Sequence, residues 1–187
     1  DYVHSGTARD ESFALDRLGL EGPWPGRLDR RLDDSGLGAV RFEVVEPEAG
    51  VTLYSRGFAS VFDEWATTAE ARARARSFHE SLRLPLPERP VDVVLQRRQP
   101  EGEWTDVWRV RVDPQDPALD RSVAARPPRV IPLLQSGAPA EKLDLAIVGD
   151  GYTAGELPKL ERDARRLVEA LLAQPPYRSR RADLNVW

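Results

Sequence analysis

The stretch that most constrains this chain is residues 143–153, LDLAIVGDGYT, where an apolar strand runs through a glycine-rich turn into the longest helical pattern in the sequence. Leu143 to Val148 is apolar nearly throughout, as expected of a strand buried on both faces. Beyond the turn, Leu157, Leu160, Ala164, Leu167, Val168, Leu171 and Leu172 recur at helical spacing. Thr153 and Glu156 spell a capping box, and Pro158 fits the first helical turn, where a missing N–H costs little. After Pro175 and Pro176, residues 183–187 read as a second strand. Strand, helix and strand in this order predict one right-handed crossover of a parallel or mixed sheet, and a single crossover is not a domain.

Upstream the period changes from helical to alternating. Val40, Phe42 and Val44 alternate with Arg41 and Glu43, then EPEAG turns the chain into Val51 to Ser55, which predicts a hairpin. Val91, Val93 and Leu95 lead through residues 99–103 to Trp104, Trp108, Val110 and Val112, with Arg109 and Arg111 facing away, which predicts a second. Phe78, Leu82 and Leu84 alternate with His79, Ser81 and Arg83, although Glu80 breaks the apolar side. Phe13 to Leu20 is extended, and Trp24, between Pro23 and Pro25, reads as an aromatic plugging one end of a sandwich rather than a ligand-stacking ring. Thr67 and Glu70 suggest a capped short helix or turn near 67–74, but the alanines and arginines that follow alternate and build no helical stripe. Residues 114–140 carry Pro114, Pro117, Pro127, Pro128, Pro132 and Pro139 around one apolar island, Val130 to Leu134. That segment reads as a linker with one docked strand.

These patterns predict a mainly β chain: an antiparallel, immunoglobulin-like β-sandwich over 1–113, a proline-rich linker over 114–140, and a strand-helix-strand piece of an α/β domain over 141–187. The chain opens at Asp1 and has no methionine, which suggests that a leader or a longer N-terminus was removed. A net charge of −4 gives no basic excess to attract a nucleic-acid backbone, and no apolar run reaches membrane-spanning length. Without cysteine there is no disulfide framework, thiolate zinc site or thiol nucleophile, and the compartment stays open.

No complete catalytic or metal set is present. Gly149, Gly151 and Ala154 match a relaxed dinucleotide turn, yet Asp150 places a carboxylate inside the anion cradle. The acidic residue sought about 20 positions on falls at Glu169, within the helix. A tight structural turn is the simpler reading. His4 and His79 are too few for a catalytic zinc, and His79 shares a polar strand face with Ser81 and Arg83. Glu46 with Glu48, and Asp63 with Glu64, are acidic pairs in predicted turns, read as solvated charge.

The stretches SGTARDESFALDRL, EGPWPG, LYSRGFASVFDEWATT, FHESLRLPLPERPVDVVLQRR and above all KLDLAIVGDGYTAGEL resemble the zinc metallopeptidases typified by the immunoglobulin A peptidase: their family-specific N-terminal domain followed by the start of a zincin-like peptidase domain. The resemblance implies a secreted, periplasmic or cell-surface bacterial protein that hydrolyses peptide bonds in a protein substrate. It also implies zinc in the full-length parent, held by an H-E-x-x-H helix whose glutamate activates water. That motif is absent here, so no catalytic, cofactor-binding or metal-ligating residue transfers to this chain. Asp150, Tyr152 and Thr153 match the family's strand-to-helix turn and receive structural roles, Thr153 as N-cap and Asp150 as a partner of turn amides. A stripe left uncovered on 154–173 is expected to drive self-association or local instability. The alternative is a non-catalytic adhesion or binding module whose sandwich loops engage a protein or glycan.

Overall fold

The computed structural model describes residues 1–22, 24, 26, 27, 29–122 and 130–187, so Pro23, Pro25, Pro127 and Pro128 of the expected loop and linker lie outside the described residues. The chain forms two compact units, Asp1–Trp24 with Asp29–Ala125, and Pro25–Leu28 with Arg126–Trp187.

The first unit is built from two antiparallel sheets. Strands β1 (Tyr2–Gly6), β2 (Glu11–Leu15) and β5 (Arg76–Glu80) form a three-stranded sheet in the order β2-β1-β5. Strands β3 (Val40–Val45), β4 (Thr52–Phe58), β6 (Val91–Arg98) and β7 (Trp104–Val112) form a four-stranded sheet in the order β4-β3-β6-β7. Period-two alternation sends Val40, Phe42, Val44, Val91, Val93 and Leu95 to one face, where they meet Tyr2 and Tyr54 in a shared core. Each such side chain contributes roughly 1.5–3 kcal/mol on full burial. Trp24 meets the Tyr54 ring edge-on at 5.7 Å and packs on this core, as expected of a plug.

Three local expectations change. Trp104 does not share the inner face with Trp108: a bulge at Val107 leaves Trp108 opposite Leu95 but Trp104 opposite Arg98. Trp104 therefore lies on the outer face, with the guanidinium carbons of Arg41 and Arg98 at 4.6 and 5.2 Å from its ring centre. The strand expected to run to Leu84 ends at Glu80, although Leu82 and Leu84 still pack on the core. The short helix, α1, occupies Val61–Ala66, upstream of its expected position. Ser60 caps it by accepting the Asp63 amide at 3.3 Å, and Phe62 and Trp65, three apart, face inward. Thr67 begins a run of turns, and the Glu70 carboxylate serves Trp65 Nε1 instead of the Thr67 amide.

In the second unit, β8 (Leu143–Leu145) and β9 (Leu184–Val186) pair in parallel, joined through a 3-10 turn (Ala154–Glu156) and helix α2 (Leu157–Leu172), as the crossover pattern predicts. In the apolar island of 130–134, where one docked strand is expected, the described residues form no named strand but an isolated antiparallel bridge between Leu134 and Val186. Val168 and Leu172 of α2 pack on Leu184 and Val186, with Leu133, Leu134, Leu145 and Ile147 around them. The apolar stripe expected to stay uncovered is thus largely taken up within its own unit. Leu167 is 58% exposed because it lies on the shoulder of that stripe. The expectation of a strand buried on both faces fails: among the described residues β8 pairs with β9 alone, and Leu143 and Val148 are 59% and 86% exposed.

Candidate functional site

The strand-to-helix turn is settled by its two glycines. A Cβ on Gly149 would stand 2.6 Å from Leu160 of α2, and Gly151 adopts φ of +77°, which L side chains rarely adopt. Glu156 accepts both the Thr153 amide at 3.0 Å and the Thr153 hydroxyl at 2.8 Å, which holds its carboxyl below the usual range. A carboxylate already occupies the helix N-terminus, where a dinucleotide would present its phosphates. Glu169 lies exposed on α2 and pairs with Arg181 at 3.4 Å. Tyr152 donates to Asp163 at 3.0 Å, which also receives Lys159 at 2.7 Å. Asp150 departs from its expected role: it makes no hydrogen bond to the turn amides among the described residues, because its side chain points to solvent. The Thr153 and Glu156 contacts brace the turn, and the amide of fully buried Asn185 braces the strands beside it. Its Oδ1 accepts the Ser136 and Gly137 amides at 2.8 and 3.3 Å, while Nδ2 donates to Gly137 O and Asp144 at 3.1 and 3.0 Å.

The densest set of ionisable groups lies in the first unit and was not legible as a motif. Alternation on β1 turns Tyr2 and His4 inward, and pairing in register sets His4 opposite Phe13 of β2 and Phe78 of β5. His4, 1% exposed, presents Nε2 to Glu11 at 2.9 Å and Nδ1 to Glu80 at 3.2 Å, while its ring stacks on Phe62 at 3.8 Å. Glu80 also accepts the Tyr2 hydroxyl at 2.6 Å, the Ser60 hydroxyl at 2.6 Å and the Phe62 amide at 3.3 Å. The glutamate that interrupts the apolar side of β5 is therefore the hub of a buried network. Arg97 of β6 bonds Glu11 at 2.9 Å and Asp63 of α1 at 2.8 Å. Asp63 thus leaves its predicted solvated turn, because the Ser60 cap places it on α1 facing Arg97. Glu46 does sit in the β3–β4 turn, accepting the Ala49 amide, and His79 is exposed as expected, 3.6 Å from Asp16.

Burial pushes the Glu11 carboxyl up, but bonds from His4 and Arg97 outweigh it and bring it down to about 2. Burial likewise works against the Glu80 carboxylate, and the Ser60, Tyr2, Phe62 and His4 donors outweigh it. Burial and the bond to Glu80 drive the Tyr2 hydroxyl far up. For Arg97, burial lowers and the two carboxylates raise, with a net rise. The two glutamates approach His4 from opposite edges, so they clamp the ring and do not converge on a common ligand position. Among the described residues no three His, Asp or Glu side chains gather to hold a metal, and the residues present do not fit a zinc centre. The cluster fastens five elements of the sandwich and seals its imidazole from solvent.

Two antiparallel sheets packed on a shared core, followed by one parallel strand-helix-strand crossover, is the class of protein that this architecture defines. Residues 1–109 match the family model described as Peptidase M64 N-terminus, and residues 131–187 match that described as IgA Peptidase M64. The chain belongs to the M64 peptidase family. No curated protein matches it.

Proposed function

We propose that this chain supplies the accessory sandwich (1–113), the linker (114–140) and the first crossover unit (141–187) of a secreted bacterial zinc endopeptidase, whose metal ligands and general base come from another stretch of the same polypeptide. The observation that carries this reading is the tandem order of the two family matches, N-terminal domain then peptidase domain, with the second falling on the β8-α2-β9 crossover. The exposed Leu143 and Val148 support it, since an edge strand with bare apolar side chains suits a larger sheet. The substrate class is protein. In this reading the 187 residues do no chemistry themselves. The test compares the full gene product with this chain for casein hydrolysis and for zinc retained after dialysis. Chelator-sensitive hydrolysis and stoichiometric zinc are expected in the full product and neither in the chain. A full product that retains no zinc and cleaves nothing would leave the reading untenable and favour the adhesion module.

A further inference from the structure

The alternating segment Ala71 to Arg76 serves neither the sandwich core as a whole nor the peptidase reading. Its first residue is explained: Ala71 is fully buried with Phe62 and Trp65, and its carbonyl accepts the Ala8 amide at 2.9 Å. That bond draws the β1–β2 turn onto the turns that follow α1, so Arg9 and Arg72 reach one end of the unit from separate loops. Arg76 opens β5 opposite Gly6, and Glu70 lies 3.8 Å from Arg74 and 3.3 Å from Arg76, which holds both guanidinium groups at the same end. Four arginines there face two carboxylates. Glu70 is shared with Trp65, and Asp10 is bound by the Thr7 amide and hydroxyl. Arg9 and Arg72 are exposed and make no ion pair among the described residues. This is a local positive excess on a chain of net charge −4.

Exposed Ala73 and Ala75 alternate with the arginines in the chain, and the Glu70 carboxylate lies between the Arg74 and Arg76 guanidinium forks, leaving those of Arg9 and Arg72 without an ion pair among the described residues. Such forks bond carboxylate, sulfate or phosphate oxygens two at a time. The segment 71–76 offers no aromatic or long aliphatic side chain to enter a bilayer, and no exposed ring on which a base would stack. The geometry points to a binding surface for an acidic polysaccharide, with Arg9, Arg72, Arg74 and Arg76 engaging its anionic groups.

The test titrates the 187-residue chain with heparin as the soluble probe, over a series of salt concentrations. Binding is expected at low salt and weakens linearly in log K against log salt. The double variant Arg9→Glu, Arg72→Glu should lose about tenfold or more in affinity and flatten the slope by about two, since each lost cation releases fewer counterions. Reversing Arg178 and Arg180 in the second unit should change affinity less than about twofold. The milder Arg9→Gln, Arg72→Gln pair should show the same loss in smaller degree, with thermal unfolding unchanged in both. Absent binding at low salt, equal affinity in the Arg9/Arg72 variants, or preference for single-stranded DNA or for phosphatidylcholine vesicles with roughly a third phosphatidylserine would each overturn the assignment.

Discussion

Replacing Arg97 by Met keeps most of the apolar stem and removes the guanidinium that Glu11 and Asp63 share. The three side chains are 27%, 22% and 19% exposed, so neither carboxylate regains full hydration when its partner goes. Glu11, which with Glu80 holds His4, and Asp63 are then left without their shared guanidinium. Removing one member of a buried ion pair costs about 3–5 kcal/mol, and the residual exposure here puts the expectation near 3. Against a domain stability of about 5–15 kcal/mol that is a large share, equivalent to a fall in Tm of roughly 10 °C. Urea unfolding followed by tryptophan fluorescence reads mainly the first unit, which holds Trp24, Trp65, Trp104 and Trp108 against Trp187 in the second. A triple variant, Arg97→Met with Glu11→Gln and Asp63→Asn, orphans no charge and should recover most of the loss. An Arg97→Met chain within about 1 kcal/mol of the wild type at neutral pH would refute the view that the cluster fastens the sandwich.

Acid should loosen the same unit. The Glu11 carboxyl is held at about 2 against its ordinary 4.5, and Glu80 is lowered too, so their contribution is complete above about 4.5 and is lost as pH falls towards 2. With allowance for solvent screening Glu11 accounts for roughly 2 kcal/mol, so the urea midpoint should fall steeply below about pH 4.5 and less so in Glu11→Gln; a midpoint unmoved by acid would contradict this. Gly151→Ala should cost about 1–2 kcal/mol in the second unit through its left-handed φ, measured as a lower local unfolding free energy by hydrogen exchange in α2. Asn185→Leu leaves the Ser136 and Gly137 amides unanswered at a cost of about 2–3 kcal/mol, and should speed exchange at Leu133, Leu134, Ile147 and Trp187 while sparing β1 to β7.

What the sequence disclosed was whatever depends on near neighbours. Alternation in 40–45 and 91–95 gave the inner face of the larger sheet. Thr153, Glu156 and Pro158 marked where α2 begins, and the order of strand and helix gave the parallel crossover. What it concealed depends on partners far apart in the chain. Glu80 reads as a flaw in an apolar face until pairing brings Tyr2 and His4 to it, and Glu11 meets Arg97 only once both sheets have formed. The single local clue was a carboxylate on the inward parity of a strand. Trp104 was misplaced because one extra residue in a bulge reverses every side chain beyond it. The helix near 67 was misplaced because Thr67 with Glu70 and Ser60 with Asp63 are competing start signals, and the buried pair Phe62 and Trp65 decided for the second.

Leu134 and β8 lie on opposite edges of β9, so of these three ribbons the middle one is synthesised after both its neighbours. Residues 133–147 emerge early yet have nothing to lie against, since both edges wait for Val186. Until then the nascent segment holds an apolar helix face and two unpaired ribbons, the species most prone to capture by chaperones or by a neighbouring nascent chain. Pausing translation between residues 150 and 180 should therefore prolong protease sensitivity of 130–148, whereas the sandwich, whose last strand ends at Val112, has all its parts by then.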